Sequence, residues 1–246
     1  MRCRRPSAFL DLTHVLAGPR STQSLAELGA EVLHISSPLH ADTLPQHLGV
    51  DMGKYCAYLD LTDADQLRRM HELAANADVF ASTYRGRVAE RFGLTPAELA
   101  SRSSRGIVTM SVNAYGHSGP WANRAGFDPN GQAASGFAST EGDGVGNPKL
   151  SPVFYLADLI SGYFAAAGML AALLRRAREG GSYHVTVSLA RSAMWVQRTR
   201  PARRRRDSRI AFDGRLPTSI HCRANGVRRG GDAGESTALL QSVATS

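Results

Sequence analysis

The amino-acid sequence predicts an α/β domain built on a mainly parallel sheet. Three observations carry this. Short strand-like runs alternate with helix-period segments from residue 8 onward, glycines and capping residues mark the changeovers, and an Ala-rich apolar run from Leu159 to Leu174 reads as a buried core helix. In such a sheet, ligands bind beyond the carboxyl ends of the strands.

The elements follow in order. Ala8 to Leu12 reads as a strand, then a loop at Ala17-Gly18-Pro19 and a helix from about Ser21 to Leu28 that Gly29 ends. Glu31 to Ile35 and Cys56 to Leu61 read as the second and third strands. Thr62 can cap a helix through about Ala75, in which Leu67, Met70 and Leu73 form one apolar stripe. Asp78 to Ala81 is the next strand. Thr95-Pro96-Ala97-Glu98 opens another helix with a cap, a proline at the first position and an acid in the first turn. Gly106 to Val112 follows as a strand. From Asn113 to Pro152 the chain is rich in Gly, Ser, Asn and Pro, and its length points to a functional loop. A long helix from about Leu156 to Arg178 stops at Gly180-Gly181, and Tyr183 to Leu189 is the last strand. Past Gln197 apolar periodicity ends, so the expected organisation is one domain over 1–197 and an Arg-rich, disordered tail over 198–246.

The formal net charge is +8, but from Arg198 to Ser246 there are 11 Arg against 4 acidic residues, which leaves a single positive charge for the body of the chain. Phosphate binding needs clustered cations, so a nucleic-acid role would rest on the tail alone, where Phe212 is the lone aromatic. Cys3, Cys56 and Cys222 make neither a disulfide framework nor a zinc motif, which fits a reducing cytoplasm. Arg2, Arg4 and Arg5 precede an apolar stretch, yet Asp11, Thr13 and His14 interrupt it and argue against an export signal. The Leu159–Leu174 run has 16 residues, short of the ~20 that span a bilayer.

No GxxxxGK[ST], HExxH or GxSxG motif is present, and Gly142, Gly144 and Gly146 neither follow a strand nor open a helix. His40 and His47 are seven apart, but Pro45 and Leu48-Gly49 favour a loop there, so no metal site is expected. Asp158 is a lone acid at the edge of an apolar helix, a position that by itself suits the helix dipole. Ser161, Gly162 and Ala165 beyond it leave room for a ligand.

Six motifs in order then carry a resemblance. They are Asp11-Leu12-Thr13-His14-Val15-Leu16-Ala17-Gly18-Pro19 with Leu25 to Val32, Gly53-Lys54 with Tyr58 to Leu61, Ala77-Asp78-Val79 through Arg91-Phe92-Gly93-Leu94, Tyr115 to Ala122, Gly126-Phe127-Asp128 with Gln132-Ala133 and Ser135-Gly136, and Ala157-Asp158-Leu159 with Gly162. From about Phe9 to Val196 the chain resembles the class III (CaiB/BaiF-type) CoA-transferases, which include formyl-CoA and carnitine CoA-transferases and α-methylacyl-CoA racemase. The resemblance implies a Rossmann-like sheet with helices on both faces, without the family's second domain. It implies transfer of coenzyme A between carboxylic acids, Asp158 as nucleophile, Arg91 at the CoA phosphates, and Leu16, Lys54, Thr83, Tyr84, Asn113 and Tyr115 near the nucleotide or thioester. It implies acyl-CoA and an acceptor acid as substrates, no permanently bound cofactor, and an interlocked homodimer in the full-length family.

Three departures qualify it. The racemase branch has a histidine in the Gly126-Phe127-Asp128 segment, and Phe127 cannot exchange a proton, so transfer is favoured over racemisation. Ser37 stands where some transferases carry a basic residue for the nucleotide. After Val196, where family members continue, the chain turns into an arginine-rich stretch of the kind a shifted frame or truncated gene produces. The activity of this chain alone stays open, and a polyanion-binding protein acting through its tail is the other class of function.

Overall fold

Strand β1 (Ala8–Leu12) pairs in parallel with both β2 (Glu31–Ser36) and β4 (Val79–Ser82), and that branching organises the domain. The computed structural model describes residues 7–39, 42–84, 86–144, 146–199 and the pair 223–224. With β3 (Tyr55–Tyr58), β5 (Val108–Asn113), β6 (Tyr183–Ser188) and β7 (Arg223–Ala224), the sheet has the order β3-β2-β1-β4-β5-β6-β7. Strands β1 to β6 are all parallel, and only β7 runs antiparallel, against Tyr183 and His184. This is the doubly wound order, with its switch point between β1 and β4.

Both faces are covered. Alternate residues of each strand point to opposite sides. Phe9, Val32, Val79, Met110 and Val185 therefore pack under α1 (Ala17–Glu27), α8 (Leu156–Glu179) and α9 (Leu189–Thr199), where Leu25, Met169 and Ala193 complete that core. Leu10, Ile35 and Phe80 pack on the other side with Met70 and Ala74 of α3 (Ala64–Asn76) and Leu99 of α5 (Pro96–Arg102). The α/β class with a parallel sheet is thus found as the sequence implies.

Local chemistry explains where element ends differ from expectation. Helix α3 is capped by Asp63, whose carboxylate accepts from Gln66 N at 2.9 Å, rather than by Thr62. Thr62 is instead drawn into a turn by Asp60, which accepts from its N–H and hydroxyl, and β3 accordingly ends at Tyr58 and not at Leu61. The Thr95–Glu98 capping box forms as its spacing predicts. His47 lies in a helix, α2 (Leu44–Val50), where a loop is expected, because its ring bonds Asp51 four residues on at 2.6 Å. His40 lies outside the described residues. Helix α1 starts at Ala17, four residues earlier than expected, with Pro19 in its first turn.

Helix α4 (Gly86–Arg91) follows β4, and between β5 and α8 the long Gly/Ser/Asn-rich segment holds two short helices, α6 (Asp128–Ala134) and α7 (Phe137–Glu141). Helix α9 extends regular structure to Thr199, beyond the Gln197 boundary. Of the tail expected to be disordered, residues 200–222 and 225–246 lie outside the described residues. The apolar helix α8 proves longer than the run read from sequence: at 24 residues it is long and apolar enough to cross a membrane, yet half of its most apolar window is buried against the domain. Its far end is an anchor. Arg176 donates to Asp78 Oδ1 at 2.7 Å and to the carbonyls of Asp78 and Gly106.

Gly106 has φ +76°, and a Cβ there would run into the Gly181 carbonyl. Gly106→Ala is therefore expected to destabilise the domain by about 3 kcal/mol through strain and overlap with backbone. Urea unfolding measures it, and a loss under about 1 kcal/mol would contradict this account.

Candidate active site

The carboxyl edge of the sheet gathers the chemistry. Helices α1 and α8 follow β1 and β5, so both begin at that edge. They cross at backbone distance: a Cβ on Gly162 would sit 3.0 Å from the Ala17 carbonyl and 3.0 Å from Arg20 Cβ. Glycine at 162 permits this approach, and it sets the first turn of α8 beside the β1–α1 loop.

Asp158 stands in that first turn, only 5% exposed. Among the described residues no side chain pairs with its carboxyl. Its backbone N–H donates to Asp128 Oδ2 at 3.0 Å, so a second buried carboxylate lies close by. Asp128 is at the start of α6 and accepts also from Gln132, whose Oε1 in turn takes Ser151 N at 2.8 Å. Burial, and then the charge of Asp128, push Asp158 up to about 7 from the ordinary 3.8. The helix N-terminus still favours the anion, so Asp158 is a basic carboxylate close to neutrality and free to react. Asp128 and Gln132 belong to the fifth motif, but the sequence assigns neither a role; an acid ahead of a proline at a helix start is the one local signal for Asp128.

The β1–α1 loop carries Leu16, half-buried, whose carbonyl accepts from Arg20 N at 2.9 Å. Beside it His14 donates its N–H to Thr83 Oγ1 at 3.0 Å and stacks on Tyr84 at 4.9 Å. Thr83, Tyr84 and Asn113 come together around a cavity of about 280 Å³ at the ends of β4 and β5, which Glu90, His117, Arg124 and His184 also line. Asp158 does not line this cavity. Asn113 holds the following turn, taking Gly116 N and giving to Gly116 O, both at 2.8 Å. Tyr115 packs edge-on against Trp121 at 5.3 Å. Arg91 is exposed at the end of α4 with its guanidinium over Phe92, one residue past Glu90. His117 bonds the Val187 carbonyl at 3.3 Å, and desolvation of its ring in the cavity wall lowers its basicity.

Lys54 differs most from expectation. Near the nucleotide or thioester, where the resemblance places it, it should be a free point charge, and most lysines are solvated in any case. Its side chain is instead fully buried, with Nζ 2.9 Å from Asp11 Oδ2, 2.9 Å from the Pro19 carbonyl and 3.5 Å from Asp51 Oδ1. An ammonium with three buried oxygen partners has no hydrogen left for a phosphate. The nearby ring nitrogens of His34 and His47 and a carboxylate oxygen of Asp51 lie within 4.8 Å of one another, a spacing that could chelate a metal. Lys54 already neutralises Asp51 there, so the group is read as an ion-pair network.

Comparison with known proteins gives the same picture. The model for CoA-transferase family III matches residues 8–218, past the Val196 limit of the motif resemblance. The chain belongs to that family. An acetyl-coenzyme A transferase of Hypoxylon pulicicidum is 35% identical over 203 residues, covering 80% of this chain and 34% of the relative. An acetyl-CoA:oxalate CoA-transferase of Acetobacter aceti is 34% identical over 191 residues, covering 73% of this chain and 49% of its own. A solved Mycobacterium tuberculosis structure is similar at TM-score 0.70 with 33% identity, covering 78% of this chain and 56% of that one. The chain thus spans a third to a half of the length of these curated relatives. Phe127 is 60% exposed in the segment where the racemase branch has its histidine, and it offers no proton.

Proposed function

We propose that this chain is the CoA-binding half of an enzyme that passes coenzyme A between carboxylic acids, with Asp158 as nucleophile. The observation that carries this is a buried, unpaired carboxylate held near neutrality at a helix N-terminus, beside the switch-point loop of a doubly wound sheet. One Asp158 oxygen attacks the thioester carbonyl and the C–S bond breaks, leaving an acyl-aspartyl anhydride and CoA thiolate. The thiolate attacks the aspartyl carbonyl and expels the donor carboxylate. The acceptor carboxylate then opens the aspartyl thioester, and the released thiolate takes the acyl group from the second anhydride, which restores Asp158. Backbone N–H groups of the neighbouring loops stabilise the oxyanions.

In this reading Arg91 meets phosphate through its forked guanidinium. Leu16, Thr83, Tyr84, Asn113 and Tyr115 line the path of the nucleotide and its thioester arm. The substrates are an acyl-CoA and a carboxylic acid, the setting is cytoplasmic, and two complete subunits form an interlocked dimer. Acetyl-CoA with oxalate is a suitable probe, since a relative is named for that pair. Incubation with acetyl-CoA followed by hydroxylamine trapping and mass spectrometry is expected to mark the peptide that contains Asp158. CoA-dependent labelling of another residue, or none, would overturn the assignment.

A further inference from the structure

The Asp11–Lys54 pair is buried beside the β1–α1 loop, which it reaches through Thr13, and its other contacts tie that loop to α1, β2 and the turn after α2. Asp11 is 0% exposed. Its Oδ1 accepts from Thr13 N at 3.0 Å and from Thr13 Oγ1 at 2.6 Å, while Oδ2 accepts from Thr22 Oγ1 at 2.5 Å and from Lys54 Nζ at 2.9 Å. His34 closes the remaining side, with Nδ1 3.2 Å from Oδ2 and Nε2 bonded to Ser36 at 3.0 Å. Lys54 also takes the Pro19 carbonyl in the first turn of α1 and reaches Asp51, which holds His47. One ammonium thus joins the end of β1, the start of α1 and the turn after α2.

Between those fixed points the backbone is strained. Val15 has φ +69°, a left-handed conformation unusual for a β-branched residue, and it persists only where its surroundings over-determine it. Those surroundings are visible: the N–H groups of Thr13, His14 and Val15 are bound respectively by Asp11, Thr83 Oγ1 and Asp42 Oδ2 at 2.8 Å. Burial would raise Asp11, but the ammonium of Lys54 and the contact with His34 hold it far below the carboxylate range, so the anion persists at any pH where the domain is used.

We propose that Lys54 is a positioning residue: with Asp11 it locks the strained loop Thr13–Leu16 into the shape that receives the CoA thioester, without touching the ligand itself. The claim rests on the CoA reading above and gives Lys54 a supporting role under the site, where the resemblance places it only near the nucleotide or thioester. It also explains why a lysine, whose charge sits at the end of a slender stem, is buried here: its three hydrogens match three oxygens from separate elements.

Removing one partner leaves the other charge buried and unpaired, so Lys54→Met alone is expected to unfold at lower temperature. The double variant Asp11→Asn with Lys54→Met removes both charges and is expected to recover the thermal midpoint. If the pair positions the loop, that stable double variant still binds CoA about tenfold more weakly by titration calorimetry, and its His14 and Val15 amides exchange at least about tenfold faster with deuterium, with β1 unchanged. A purely structural pair predicts otherwise: a double variant with wild-type midpoint, CoA affinity and loop protection would overturn the proposal. Failure of the wild-type chain to bind CoA would sink the functional reading, while the exchange measurement would still decide whether Lys54 positions the loop.

Discussion

Asp158→Ala is expected to abolish exchange of labelled CoA between acids, by about 10³-fold or more, while CoA binding stays within a few fold. The Asp158 carboxylate makes the first attack of the proposed relay and is the acyl carrier in each step that follows, so the exchange cannot run without it. Asp128 is the nearest acid, but its Oδ2 is committed to the Asp158 N–H and its other oxygen to Gln132. The nucleotide would be held by residues near the ends of β4 and β5, on α4 and in the β1–α1 loop, while Asp158 does not line the cavity that Thr83, Tyr84 and Asn113 surround. Binding and chemistry should therefore separate. The measurement is isotope exchange from labelled CoA alongside calorimetric CoA binding, on the full-length protein where the chain alone is inactive. Turnover within tenfold of wild type would remove Asp158 from the mechanism. A parallel loss of CoA affinity would instead mean that the substitution disturbs the first turn of α8.

How much of this could be read from sequence depends on whether a feature is local. The Thr95 capping box, the strands other than the end of β3 and the span of α8 rest on side chains acting within a turn or on alternation, and they appear close to where the residues predict. Asp158 is legible by resemblance and by its isolation in an apolar segment. Its raised basicity is not, because it arises first from burial in the folded domain and then from Asp128, thirty residues away in a segment that reads as loop. Lys54 illustrates the same limit. Spacing cannot show that Asp11, 43 residues earlier, meets its ammonium across two strands, and a solvated lysine is the reasonable default. Helix α9 carries a weak sequence signal because its buried Leu189, Ala190 and Ala193 run directly into the arginine-rich stretch, where the apolar stripe breaks off.

The activity should fall steeply in acid, about tenfold for each unit below the Asp158 value of about 7, so that kcat/KM at pH 5 is about a hundredth of its plateau above pH 8. Only the anion attacks, and both burial and Asp128 hold the proton on. Asp128→Asn keeps an acceptor for the Asp158 N–H but removes the like charge, so the acid limb should move to lower pH and the variant retain relatively more activity at pH 5. Stability carries the opposite sign. A carboxyl whose folded pKa is raised binds its proton more tightly folded than unfolded, so stability is greatest near or below pH 4, falls as the pH rises toward 7, and stays lower above. Asp158→Asn removes that cost and should stabilise the domain at pH 8 by a few kcal/mol while scarcely altering it at pH 4. Urea unfolding of both proteins at the two pH values tests this, and curves that shift in parallel would mean that Asp158 titrates as an ordinary exposed acid. A site that weakens its own fold to keep a carboxylate basic is what nucleophilic attack on a thioester requires, and gain in stability together with loss of exchange in the same variant would tie the two to one side chain.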